Sequence, residues 1–129
     1  MFDDEEVIRV YVPPGWPGVV RPPGSEGWLK SAEAFLLDCC PSEYRGYGVL
    51  RRHPIVLAGL AKEFVASQLV ATRSGLTGMR TSLSGFVDTA TSDQAAQVLQ
   101  AEEARLVRVA RGVELVDQAL RDARFVPKL

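Results

Sequence analysis

The stretch PIVLAGLAKEFVASQLVATRSGLTGMRTSLSGF, residues 54–86, decides the fold. Pro54 opens it at the position where a helix tolerates proline best, because the first helical N–H has no intrahelical partner to lose. Apolar side chains then recur in unbroken 4-3 alternation: Ala58, Val65, Leu69, Leu76, Met79, Leu83 and Phe86, with Lys62 and Thr72 in the two weak slots. That spacing lays one apolar stripe along a helix and predicts it over residues 54–87.

A polar turn follows, Asp88-Thr89-Ala90-Thr91-Ser92-Asp93, in which Thr91 or Ser92 is a natural N-cap. The alternation then resumes with Ala95, Leu99, Glu102, Leu106, Val109, Val113, Val116, Leu120 and Ala123, predicting a second helix over residues 93–123. Two such helices joined by a short turn pair as a long antiparallel, coiled-coil-like hairpin, each arm about 45–50 Å long at 1.5 Å per residue. Gly75, Gly78 and Gly85 weaken the far half of the first arm, where the helix is expected either to break or to let its neighbour approach closely. Glu102 falls on the apolar seam and calls for a cation, with Lys62, Arg73 and Arg80 as candidates. Near the base, Leu57, Leu60, Phe64, Val107 and Leu115 widen the stripe beyond a two-helix seam.

A third, shorter helix suits that wider stripe. Trp28, Leu29, Ala32, Phe35, Leu36 and Cys39 fall at helical spacing over residues 27–40, and Pro41 forbids continuation. The fold class is therefore all-α: the hairpin braced by a short N-terminal helix, with residues 25–129 forming the helical domain and residues 1–24 an extended, Pro-rich arm. Residues 41–53 connect the first two helices and have room for one helical turn at 42–45.

Within the arm, residues 6–12 alternate as a strand does, and Val10 and Val12 have no strong partner strand in the chain. Self-pairing or augmentation of a partner's sheet is one reading; an arm lying against helices is the other. Five of the eight prolines lie in residues 13–27, so no helix or central strand crosses that segment. Trp16 is expected either to join Val10 and Val12 in contacting a partner or, with Trp28, to cover the end of the helical core. The closing Phe125-Val126-Pro127-Lys128-Leu129 can fold back on that core or dock elsewhere.

Composition excludes several classes. The chain has 129 residues, 47% apolar and 24% charged, with a formal net charge of −1, which fits one globular core and not a highly basic nucleic-acid binder. Twelve arginines against three lysines, with no asparagine, read as GC-rich coding bias. The acidic start Asp3-Asp4-Glu5-Glu6 is unlike a secretory leader, and the longest apolar stretch, residues 55–70, is interrupted by Lys62 and Glu63. A cytoplasmic protein with no membrane span is expected.

The local basic cluster is Arg45, Arg51, Arg52 and His53, ending at the start of the long helix, where an anion or acidic partner surface would be favoured. The competing reading pairs those arginines with Glu33, Asp38 or Glu43, and leaves His53 exposed or capping. Cys39 and Cys40 are neighbours and form no disulfide framework. With a single histidine the chain lacks metal spacing, and Cys39 or Cys40 with His53 is the one nucleophile and base pair available. No catalytic residue, metal or cofactor is expected.

The segments PPGWP (residues 13–17), LLDCCPSEYR (36–45), LRRHP (50–54) and FVPKL (125–129) resemble a family of small actinobacterial proteins. That resemblance implies a bacterial cytoplasmic setting and brings no activity with it. The expected function is a non-enzymatic protein–protein interaction or assembly module, a homodimer that buries the half-exposed seam of two thin helices. The alternative is a regulatory factor that binds an anionic partner, nucleic acid or an acidic protein surface, through Arg45, Arg51 and Arg52.

Overall fold

The computed structural model describes residues 10–128. They form four helices: α1 (Trp28–Asp38), α2 (Gly48–Arg52), α3 (Pro54–Ser82) and α4 (Thr89–Leu120), with a 3₁₀ turn at Ser42–Gly46 before α2. No strand occurs among the described residues. The strand reading of residues 6–12 falls mainly on residues 1–9, outside the described ones; Val10, Tyr11 and Val12 have no regular structure.

Helices α3 and α4 pack closely, and three ion pairs between them display their register. Lys62 Nζ lies 3.2 Å from Glu114 Oε1, Arg73 Nε donates to Glu103 Oε2 at 2.6 Å, and Arg80 pairs with Asp93. Residue numbers fall along α4 as they rise along α3, so the two helices run antiparallel. Helix α3 does not break at its glycines. Gly75 faces α4, where an added Cβ would stand 3.2 Å from Leu99 Cδ1, whereas Gly78 faces open space. The helix instead ends at Ser82, short of the expected 87, in a turn where Phe86 and Val87 N–H groups both reach Leu83 O and Gly85 has φ 86°. Phe86 is consequently 84% exposed and leaves the apolar stripe assigned to it.

Helix α4 begins earlier than residue 93 because Asp88 is its N-cap: the carboxylate accepts from Thr91 N at 2.8 Å, and neither Thr91 nor Ser92 caps. Ser92 is buried instead. Asp122, at φ 68°, marks the end of α4 beyond Arg121.

The core sits at the base. Leu36, Leu37 and Ala32 of α1, Leu50 of α2, Leu57, Ala58 and Ala61 of α3, and Val113 and Val116 of α4 enclose one another, with Val20 from the proline segment. Each fully buried Leu or Val contributes about 1.5–3 kcal/mol, so this end carries most of the stability. Leu115 and Leu57 confirm the wider basal stripe, but Leu60 and Val107 stay exposed.

The proline segment is not extended. Pro13, Pro17 and Pro22 each accept a backbone hydrogen bond at 3.1 Å, from Trp16, Val20 and Ser25, so the segment is three successive turns laid over the helices. Trp16 packs 5.8 Å from Trp28 and 6.0 Å from Phe125, and its indole N–H donates to Val20 O at 2.9 Å. This is the core-covering role, and it brings the C-terminal segment back onto the base through Phe125.

Glu102 is not the carboxylate that α3 holds. It is half-buried and pairs with Arg105 one turn along its own helix. The buried carboxylate is Asp117, 4% exposed, which accepts from Arg121 Nε at 3.2 Å and lies 3.5 Å from Lys62 Nζ. The 4-3 pattern places residues on a stripe to within one position, and the true contact line runs through Asp117 because Leu115, Val116 and Ala119 beside it are all buried.

Candidate functional site

The basic cluster is structurally engaged. Arg45, on the 3₁₀ turn, pairs with Asp38 at the end of α1, and Arg51 Nε donates to Glu33 Oε2 at 2.8 Å. These pairs pin the connecting segment to α1, which is the pairing reading of the cluster. Arg52 folds back over Gly48, its guanidinium 2.8 Å from where a Cβ would sit. His53 is exposed, and its carbonyl rather than its ring serves the start of α3 by accepting from Val56 and Leu57 N–H groups. Two of the three guanidinium groups are therefore already matched by a carboxylate.

Of the arm residues, Val10 is exposed and Val12 half-buried, while Trp16 belongs to the aromatic cover of the core. The cysteines bear on thiol chemistry. Burial pushes the Cys39 thiol up to about 11, with Cys40 and Asp38 adding to the rise, and burial also raises Cys40. A group with such a pKa holds almost no thiolate at neutral pH. Among the described residues no hydrogen bond joins either thiol to His53, and no group of three or more His, Cys, Asp or Glu side chains is arranged to hold a metal.

Two surfaces stand out that the sequence reading did not single out. The first is the outer face of α3. Ile55, Val56, Leu60 and Val70 are exposed on it, Val70 to 68%, and Gly59, Ala66, Ser67, Ala71 and Ser74 share that face with Glu63, while Lys62 and Arg73, which pair with carboxylates of α4, stand along its edge. By length and composition α3 also reaches the threshold of a membrane-crossing helix, since it continues past the 55–70 stretch: its most apolar 18-residue window has mean hydropathy 1.4, with 22% of it buried. The periodicity of the seam concealed this, because attention to one stripe passes over the exposed aliphatic side chains on the other.

The second surface is a half-open groove of about 500 Å³ between the first proline turns and α4. Gly15, Trp16, Pro17 and Phe35 form one wall, and Arg105, Val107, Arg108, Val109, Arg111 and Gly112 the other. Its lining is almost wholly carbon. Two glycines make the junction possible: a Cβ on Gly112 would meet Pro17 Cγ at 2.9 Å and Phe35 Cζ at 3.3 Å, and one on Gly15 would meet Arg111 Cγ at 2.7 Å. The signal available in sequence was Arg105, Arg108 and Arg111 spaced three apart, hence on neighbouring turns of one helix.

No family model, curated protein or solved structure matches this chain.

Proposed function

We propose that the chain is a non-enzymatic protein–protein interaction module that self-associates, its two long helices forming a coiled-coil-like hairpin and the outer face of α3 serving as the contact. The observation that carries this reading is the row of exposed aliphatic side chains on the outer face of α3, Ile55, Val56, Leu60 and Val70. Small residues between the aliphatic ones allow two α3 helices to approach closely.

Light scattering on a gel-filtration column tests the reading with the L60E/V70E double variant. Both side chains are exposed in the single chain, so the substitutions leave its folding intact, and the helical circular dichroism signal verifies that. The wild type elutes with twice the 14.1 kDa chain mass, and the variant elutes with the chain mass. A wild type that stays monomeric at high concentration, or a variant that still pairs, refutes the proposal.

A further inference from the structure

The geometry points to the groove between the first proline turns and α4 as a binding site for a small amphiphilic anion, a monomeric carboxylate with an apolar tail. Its volume, about 500 Å³, lies within the range of small-molecule sites, roughly 300–1,000 Å³. Shape and chemistry divide the ligand in two. The carbon walls supplied by Trp16, Pro17, Phe35 and Val109 suit an apolar tail and offer it almost nothing to hydrogen-bond.

The α4 side supplies the charge. Arginine stems line apolar surface while their guanidinium groups reach water, and Arg111 shows this directly, its Cγ resting against Gly15. Arg105 is matched by Glu102 at 2.6 Å. Arg108 and Arg111 form no ion pair among the described residues, and Glu114, the carboxylate that feels the Arg111 charge, is itself paired with Lys62. A guanidinium holds a carboxylate through two parallel hydrogen bonds, and a tail lying in the groove brings its head to Arg108 and Arg111. A neutral tail leaves these charges unused, and a small inorganic anion leaves the carbon walls wet.

The site is also built rather than incidental. Gly15 has φ 96°, a conformation that favours glycine, and this turn is what sets Trp16 and Pro17 across from α4. The basic cluster expected from sequence lies elsewhere, and Arg45 and Arg51 in it are paired with carboxylates; the anion preference belongs to α4.

Calorimetric titration tests the assignment with three probes: decanoate at submillimolar concentration, where it is monomeric, decan-1-ol as the same tail without charge, and acetate as the head without a tail. Decanoate is expected to bind saturably at one site per chain, with decan-1-ol and acetate each at least tenfold weaker. The R108Q/R111Q variant should lose at least tenfold in decanoate affinity while its weak response to decan-1-ol is unchanged. V107D, which puts a negative charge on the exposed groove wall, should lose decanoate binding with its thermal unfolding unaltered. Equal binding of decan-1-ol and decanoate, retention of affinity in R108Q/R111Q, or the absence of saturation overturns the proposal. So does loss of decanoate binding in L60E/V70E, which would place the ligand on α3.

Discussion

Asp117 illustrates what a single buried charge demands of its neighbours. Its carboxylate is 4% exposed and answered by Lys62 and Arg121, both of which keep their heads largely in water. Removing the acid lets the two cations return to solvent, so D117L is expected to be nearly neutral in chemical denaturation. Removing both cations strands a buried charge, and K62M/R121M should cost about 3 kcal/mol, recovered when D117L is added. Glu114 adds a pH dependence. The Gln118 amide, and after it Lys62, hold its carboxyl below the usual carboxylate range, as the Thr91 hydroxyl and N–H hold Asp88. Groups with lowered folded pKa stabilise the fold above their unfolded value and lose that contribution as pH falls through the folded one. The urea midpoint should therefore be flat near neutrality and fall on acidification, less steeply in E114Q. Gly112 sets a steric limit: with Pro17 Cγ at 2.9 Å, G112A is predicted to destabilise by about 1–3 kcal/mol through overpacking.

At the scale of elements, the long helices are strong at one end and thin at the other. Toward the turn the buried residues are Thr72, Ser92 and Ala96, whereas the base holds Leu57, Val65, Leu106, Val113 and Val116. Hydrogen exchange should therefore be faster for amides of residues 74–82 and 92–97 than for those of 57–65 and 106–116. G78A should stabilise by about 0.5–1 kcal/mol, because a methyl there meets nothing within 4 Å and alanine is the better helix former. Both long helices and the short α1 were legible because periodicity and proline placement act locally. Their ends were not. Asp88 rather than Thr91 took the cap, and Phe86 was lost to solvent because Gly85 turned the chain, both outcomes of local hydrogen bonding that the apolar count does not register. The position of Trp16 was legible only as one of two readings, since contact with Phe125 joins residues at opposite ends of the chain.

The whole molecule is less compact than its composition suggested. Two thin helices were expected to leave a seam half exposed; the exposed aliphatic side chains include Ile55, Val56, Leu60 and Val70 on the outer face of α3, with Val98 and Val107 on α4. The candidate sites were correspondingly harder to read than the fold, since an interaction face is defined by exposed side chains and the groove by proximity of turn and helix. Small-angle scattering with mass from the forward intensity tests the self-association most directly. A self-associating chain has a mass of twice 14.1 kDa and a radius of gyration well above the ~14 Å of a compact monomer of this length. A single-chain mass at every concentration, with a radius near ~14 Å, would contradict it.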